Sequence, residues 1–443
     1  MQGSFTISMK TAPVKKRTLN LITLGCSKNL VDSERILGQL PASRFKISHD
    51  ANGPSDIVII NTCGFIKDAK QESIDTILEY VEAKKQGLVQ EVLVTGCLSQ
   101  RYKSELAKEI PEADGWFGAR EPDELFEYLS LRFDTHSGRR FTTTPAHFAY
   151  LKIAEGCDRT CSFCAIPLIR GTHRSRTPES LVEEASKLAA NGVKELILIA
   201  QDLTYYGIDL GNKPLLAPLL EDLSKVPGIE WIRLHYAYPR NFPEDVIDVM
   251  AANRKICRYI DIPLQHINDG ILKAMRRGHD RASTLQLLEK FRQRVPGIAL
   301  RSTLMVGFPG ETREIFDELL DFIRLVKFDR LGVFTYSPEE GTTAWELGDP
   351  IPEEEKQNRA DELMEIQAEI SGSNNDEKIG KKYKVIIDDK EGNYYLGRTE
   401  FDSPEVDNEV LVEMEPGIEI GKFISVEIQS ATEFELFGKK VQE

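Results

Sequence analysis

The stretch DIVIINTCGFIKDAKQESIDTILEYV (residues 56–81) reads as one unit: a β-branched run, a cysteine, then a helical pattern. LNLITLGCSKNLVDSERILGQL (19–40) and EVLVTGCLSQRYKSELAKEI (91–110) repeat it on either side. Short apolar runs alternating with helices predict a parallel α/β sheet. In each unit the cysteine, Cys26, Cys63 or Cys97, falls just past the C-terminal end of the strand. Those ends share one edge of a parallel sheet, the edge where open α/β folds hold their ligands. Three cysteines far apart in sequence are thereby expected to converge.

From about residue 143 the alternation continues through six more strands: AYLKIAEGC, ELILIAQD, IEWIRLHYAYP, YIDIPLQHI, LRSTLMVGFPG and RLGVFTYSPE. Helical stretches such as ESLVEEASKLAANG, PEDVIDVMAAN and REIFDELLDFIRLVK lie between them, and a long polar helix, PEEEKQNRADELMEIQAEIS, follows. Six βα units suit a partial (βα)6 barrel better than a closed eightfold one. Near Lys381 the helical period ends. KYKVIIDD, NYYLGRTEF, NEVLVEME, KFISVEIQSA and EFELFGKKV read as five strands, broken at KEGN, DSPEVDN and EPG, a small closed β-barrel on the scale of an OB-like module. The expected domains are an N-terminal α/β domain at 18–140, the partial barrel at 143–375 and the small barrel at 376–443.

The bulk of the chain agrees with a soluble globular class: 443 residues, 41% hydrophobic and 29% charged. No run approaches the roughly 18 apolar residues of a membrane span. The leader MQGSFTISMKTAPVKKR has no apolar core to make it a secretory signal, and Met9 is an alternative start. A cytoplasmic protein without membrane contact is expected. Seven cysteines in such a chain favour metal or redox chemistry over a disulfide framework. The net charge of −15 disfavours non-specific binding to DNA or RNA phosphates and suits a basic protein partner, although acidity also serves solubility alone. The small barrel carries eight Lys/Arg against fifteen Asp/Glu over 381–443, a net of −7, where a nucleic-acid-binding barrel is more often basic.

EGCDRTCSFCAIP (155–167) spaces Cys157, Cys161 and Cys164 as C-x3-C-x2-C and supplies no fourth thiol. Soft thiolates on one tight loop suit a cubane iron–sulfur cluster, and three of them leave one iron open to a further ligand. A zinc site completed by His173 is the alternative, with a spacing unusual for zinc. Cys26, Cys63 and Cys97 form a second open triad, each beside a glycine and before a helix whose positive end favours a thiolate. Each alone reads equally as a buried core cysteine, the usual fate of a free one. Cys257, at the start of an apolar strand, reads as core packing.

C-x3-C-x2-C after the first strand of a βα barrel resembles the signature of the radical S-adenosylmethionine (SAM) superfamily. With the dispersed N-terminal triad and a TRAM-like C-terminal barrel, the whole chain resembles the radical SAM methylthiotransferases. That resemblance implies two [4Fe-4S] clusters. The first, on Cys157, Cys161 and Cys164, chelates SAM through its open iron and cleaves it to a 5'-deoxyadenosyl radical. The second, on Cys26, Cys63 and Cys97, holds the sulfur, and a second SAM supplies the methyl group. It also places Phe163 near the adenine. The glycines of MVGFPGET, Gly307 and Gly310, are expected to let backbone approach the cofactor. Gln201 and Asp202 end the second strand on the expected active face, and Arg174, with Arg170 and Arg176, is read either as a partner for a SAM or substrate carboxylate or as a solvated loop charge. His235 and His266 end the third and fourth strands and read as structurally satisfied.

Within that family, LGCSKNLVDSE, DIPLQHINDGILKAMRR, YSPEEGTTAWEL and EGCDRTCSFCAIPLIRGTHRSR resemble the branch that modifies an aspartate of small-subunit ribosomal protein number twelve. The branch acting on adenosine of transfer RNA usually has Gln-Met-Asn where this chain has Ser27-Lys28-Asn29. The resemblance implies methylthiolation of the aspartate β-carbon, on the free protein or in the ribosome, with a sulfur donor and an electron donor that the sequence does not identify. A transfer-RNA methylthiotransferase is the alternative, and a non-enzymatic iron–sulfur scaffold or redox sensor a third reading.

Overall fold

In a computed structural model the chain is described over residues 16–135 and 137–441; most of the basic leader, Met9 included, lies outside the described residues. The chain forms two compact units that part between Phe141 and Thr142.

The first unit is built on a parallel sheet of β1 (Arg17–Thr23), β2 (Phe45–His49), β3 (Ser55–Thr62), β4 (Val89–Gly96) and β5 (Gly115–Trp116), in the order β2-β1-β3-β4-β5. Alternation along the strands sends Leu19, Leu21, Ile57 and Ile59 to one face, against Ile36, Leu37, Leu125 and Phe126 of the helices Ser27–Gln39 and Pro122–Tyr128. Val58, Ile60, Val92 and Val94 face the other way, against Ile77, Val81 and Leu98 of Lys67–Lys85 and Cys97–Glu109. Both faces are covered, as a parallel sheet requires. The sequence predicts three of the five strands. The other two sit at the edges: one alternates only Phe45 and Ile47 with polar residues and is partly exposed, and one is only two residues long, so neither carries a long apolar run.

The second unit holds six parallel strands in chain order: β6 (Phe148–Lys152), β9 (Glu195–Ile199), β10 (Trp231–Leu234), β11 (Ile256–Asp261), β12 (Ala299–Val306) and β13 (Arg330–Thr335). Between β6 and β9 the chain forms a short antiparallel pair, β7 (Ala154–Glu155) and β8 (Arg174–Ser175). This is the open partial barrel that the sequence predicts. Leu151, Leu196, Leu198, Ile232, Leu234, Leu300 and Leu304 point outward into one large core with the surrounding helices. The other face carries Tyr150, Glu195, Arg233, Tyr259, Arg301 and Arg330, an unusually polar set for a barrel interior.

The C-terminal strands β14 (Lys382–Glu391), β15 (Tyr394–Arg398), β16 (Glu409–Glu413), β17 (Phe423–Ala431) and β18 (Glu435–Lys440) close into a barrel ordered β14-β15-β16-β18-β17. It belongs to the second unit and packs beneath the partial barrel. Trp231, the first residue of β10, meets Phe423 edge-on with ring centroids 4.7 Å apart, in a cluster with Ile386, Tyr259 and Cys257. Cys257 is 1% exposed, a core residue as read from sequence. The helix Glu353–Asp376 ties the two parts together: Gln367 donates to the Phe328 carbonyl, and Ser371 and Asn375 to carbonyls of Glu433 and Thr432.

Candidate cofactor sites

In the first unit the chain leaves β1 for β2 on one side and returns to β3 on the other. The crevice between β1 and β3 is thus the switch point where such sheets bind ligands. Cys26 caps the helix Ser27–Gln39, Cys63 directly follows β3, and Cys97 opens the helix Cys97–Glu109 after β4. Their neighbouring glycines are the means of approach. A Cβ on Gly25 would lie 2.7 Å from Cys63 Cβ, one on Gly64 2.7 Å from the Leu98 backbone, and one on Gly96 2.5 Å from the Thr62 backbone. Gly25 and Gly96 also hold positive φ of 87° and 99°.

Asn29, fully buried, braces all three loops, a role its place in the sequence does not announce. Its amide donates to the carbonyls of Leu24 and Thr62 (2.9 and 3.0 Å), and its Oδ1 lies 3.5 Å from Cys97 Sγ. Ser73 accepts from the Cys63 amide and donates back to its carbonyl. Cys26 and Cys97 stand at helix N-termini as expected. Cys63 does not: its helix begins only at Lys67, and burial, with the Cys26 and Cys97 thiols nearby, pushes its pKa up to about 11. The Phe65 and Gly64 amides favour that thiolate but do not outweigh burial; a metal would.

In the second unit β7 and β8 pair Ala154 with Ser175 and Glu155 with Arg174, closing the base of the loop that carries Cys157, Cys161 and Cys164. The Cys157 amide donates to the Gly171 carbonyl at 3.0 Å and the His173 amide to Asp158 at 2.9 Å. Gly156 is obligatory here, with φ of 78° and a hypothetical Cβ 2.1 Å from the Thr172 carbonyl oxygen. Further along, the Ser162 amide donates to Met275 and its carbonyl accepts from Ala344. The loop presents hydrogen-bond donors to sulfur. Arg277 Nη1 lies 3.3 Å from Cys161 Sγ, and the Arg159 amide 3.4 Å from Cys157 Sγ. Tyr238 is flanked by both guanidiniums, with Arg159 4.2 Å and Arg277 4.4 Å from its ring centre. Desolvation pushes the Cys157 and Cys164 thiols up to about 11 and 12. Arg277, Tyr238 and Arg159 were not singled out by sequence; the first two come from loops after other strands.

The donor sets fit iron–sulfur clusters: three soft sulfurs on each triad, with N–H groups aimed at sulfur in the second. Among the described residues no three His, Cys, Asp or Glu side chains gather closely enough to hold a single metal ion. Several buried polar atoms at the C-terminal ends of the second unit's strands have no partner among the described residues: Ser162 Oγ, His173 Nδ1, Gln201 Oε1, Gln265 Oε1 and Arg277 Nε. Such orphans fit a polar ligand rather than a packed interior.

Phe163 packs against Met275, Met305, Phe308 and Tyr336 at the edge of that region. Gln201 donates its amide to Glu155 at 2.8 Å, which leaves Oε1 as a free acceptor. Glu155 also receives Lys152 (2.7 Å) and Arg170 (3.3 Å); burial alone would raise its pKa, but these cations hold it well below the usual carboxylate range. Arg170 is therefore neither a solvated charge nor a free anion receptor, and Arg176 is likewise held by Glu184 at 2.7 Å. Arg174 alone of the three is exposed.

Asp202 is committed within the protein: one oxygen takes Arg159 at 2.8 Å, the other caps the following turn through the amide and hydroxyl of Thr204. Gly307 is not an approach for a cofactor, because the stem of buried Lys356 occupies its open side, 2.2 Å from where a Cβ would stand. Gly310, with φ of 95°, keeps that side open. His235 pairs with Ser403 (2.8 Å) and His266 with Glu311 (3.2 Å), both structurally satisfied as read.

Three comparisons bear on these sites. The radical SAM superfamily model matches residues 151–323, the family described as "Uncharacterized protein family UPF0004" matches 18–118, and the TRAM domain matches 379–441. The chain is 56% identical to the ribosomal protein uS12 methylthiotransferase RimO of Christiangramia forsetii, over 97% of this chain and 96% of that one. It is 56% identical to that of Flavobacterium johnsoniae (97% and 100%) and 52% to that of Bacteroides thetaiotaomicron (96% and 99%). Among solved structures, the radical SAM methyltransferase TsrM of Kitasatospora setae shares the fold at a TM-score of 0.54 and 16% identity, covering 72% of this chain and 73% of that one.

Proposed function

This chain belongs to the RimO family of ribosomal protein uS12 methylthiotransferases, and we propose that it attaches a methylthio group to the β-carbon of an aspartate of uS12, giving 3-methylthioaspartate. It is a radical SAM enzyme. The observation that carries the reading is the three-thiol loop at the C-terminal end of the first barrel strand, backed by near-full-length relatives of one name. Cys157, Cys161 and Cys164 would hold the [4Fe-4S] cluster that binds SAM, and Cys26, Cys63 and Cys97 a second one.

When bound, these groups supply what side chains cannot: an electron to cleave SAM, a species able to take hydrogen from an unactivated carbon, and a sulfur atom. The polypeptide supplies placement. Arg277 and the Arg159 amide donate to Cys161 and Cys157 Sγ and would compensate the charge of a cluster held there. Glu155, fixed by Lys152 and Arg170, orients Gln201 and leaves its carbonyl oxygen free to accept from a bound ligand. An acceptor so placed calls for a donor on SAM, its ammonium or a ribose hydroxyl. Asp202 acts at one remove by holding Arg159.

The barrel's net charge of −7 supports a basic protein substrate, free or within the ribosome, and hence a cytoplasmic site of action. Sulfur and low-potential electrons would come from outside the chain. The test is anaerobic: the reconstituted, reduced enzyme is given SAM and sulfide, with uS12 and transfer RNA in separate reactions. Mass spectrometry should find one sulfur and one methylene added to a single aspartate of uS12. Addition to adenosine would overturn the substrate, and intact SAM in both reactions would overturn the enzyme.

A further inference from the structure

The loop between β15 and β16, residues 399–408, does not lie on the surface of the small barrel. It rises into the partial barrel from the N-terminal ends of its strands and fills the interior. Arg233 of β10 donates to the carbonyls of Thr399 and Glu400, and Arg330 of β13 pairs with Asp402. One layer higher, Tyr259 donates to Asp407 at 2.8 Å, Arg301 lies 3.3 Å from the same carboxylate, and Ser403 meets His235 just past the end of β10. The chain turns at Pro404, Glu405 and Val406 and descends again.

That tip has three unusual properties. Glu405 holds a left-handed backbone, φ of 69°, which a non-glycine residue adopts only at a cost in strain. Val406 is 54% exposed although the residues on either side of the turn, Ser403 and Asn408, are buried. Each of the loop's other acids has a cation: Glu400 has Arg258, Asp402 has Arg330, and Asp407 has Arg301. Glu405 has no ion pair among the described residues, and its carboxylate reaches only the neutral Tyr150 hydroxyl, at 3.5 Å.

We propose that Glu405 is a specificity-determining residue of the enzyme: a carboxylate on the floor of the radical cavity that receives a basic side chain of the substrate polypeptide close to the modified aspartate. The inference rests on the uS12 reading above. The cations of the barrel interior are engaged by this loop, by Glu195 and Asp261 or, for Lys152, by Glu155, so none of the described residues is left to neutralise Glu405 and a partner from outside the chain suits it. A lysine or arginine of a basic protein meets that need, and Val406 beside it offers apolar contact to the stem. The strained backbone is then the means of aiming the carboxylate upward from a loop whose flanks are clamped below.

The test is steady-state methylthiolation of uS12 by the reconstituted enzyme and its Glu405→Gln, Glu405→Lys and Glu405→Asp variants, with iron content and melting temperature as controls on folding. KM for uS12 should rise about tenfold in Glu405→Gln, the worth of one charge-assisted contact, and further in Glu405→Lys. Glu405→Asp should recover part of it, and KM for SAM should not move. A set of uS12 variants with single Lys or Arg residues near the aspartate changed to Glu should contain one that Glu405→Lys prefers over the wild-type enzyme. Unchanged KM for uS12 in both charge variants, or a rise in KM for SAM instead, overturns the proposal. If the wild-type enzyme leaves uS12 unmodified, it is the functional reading that fails.

Discussion

The guanidinium of Arg277 donates to Cys161 Sγ at 3.3 Å while its other terminal nitrogen is anchored on the Pro263 carbonyl at 2.5 Å. A cation fixed in this way favours the more negative, reduced state of a cluster on that sulfur. Arg277→Gln should therefore keep its iron but have a lower cluster potential and roughly tenfold slower 5'-deoxyadenosine formation, about one charge-assisted hydrogen bond. Redox titration followed by electron paramagnetic resonance checks it; an unchanged potential would refute the role.

The two triads should be separable. Cys161→Ala is expected to abolish SAM cleavage while leaving the iron of the first unit in place. Cys63→Ala should do the reverse, losing about half the iron and all methylthiolation but still cleaving SAM, because each set of three thiols belongs to its own cluster. Iron analysis with product chromatography distinguishes the pair. Loss of both clusters in either variant would count against two independent sites.

Two glycines in the second unit should fail differently. At Gly156 a methyl would meet the Thr172 carbonyl at 2.1 Å, so Gly156→Ala must open the cluster loop at its base and lose the radical cluster's iron. At Gly307 the obstacle is the Lys356 stem, and Gly307→Ala should cost about 1–3 kcal/mol of stability through strain and displaced packing. Thermal unfolding should show the second effect even in the iron-free protein. Equal melting temperatures for Gly307→Ala and wild type would contradict it.

Asp388 of the small barrel accepts from Arg398 at 2.6 Å and lies 2.7 Å from His147 of the core. Burial pushes its pKa up, but Arg398 and His147 outweigh it and hold it below the ordinary value of 3.8. A depressed carboxyl stabilises above its unfolded pKa and loses that contribution as pH falls through the folded one. The contact should thus be at full strength from neutrality to about pH 4 and weaken only below. Hydrogen exchange in β14 across that range measures it. Asp388→Asn should destabilise by roughly 2 kcal/mol at pH 7, since Arg398 then keeps Glu195 and the Asp402 carbonyl but loses its second carboxylate.

Much of this molecule is legible in its sequence because period and spacing are local properties. The six strands of the partial barrel and the five of the small one announce themselves by apolar runs, and the cysteines by their place after strands. What was not legible is what depends on a distant partner. DSPEVDN reads as a polar break between strands, yet Asp402 and Ser403 are buried and bonded into the core. The available signal lay elsewhere: Arg233, Arg301 and Arg330 stand in apolar strands, and a buried arginine demands an acid. Gly307 likewise reads as room for a ligand, because nothing near it in sequence reveals that Lys356 fills the space.

The clamped loop of the small barrel has a consequence for how such a chain can vary. By its list of modules the protein looks divisible, with a catalytic barrel and an accessory one after it. In the packing, however, the accessory piece supplies the stuffing of the catalytic one, salt bridge by salt bridge. A chimera that exchanged the last domain with that of a transfer-RNA relative would take Asp402 from Arg330, Asp407 from Arg301 and two carbonyl acceptors from Arg233. Substrate preference and the integrity of the barrel are therefore inherited together, and the two must be redesigned as one object.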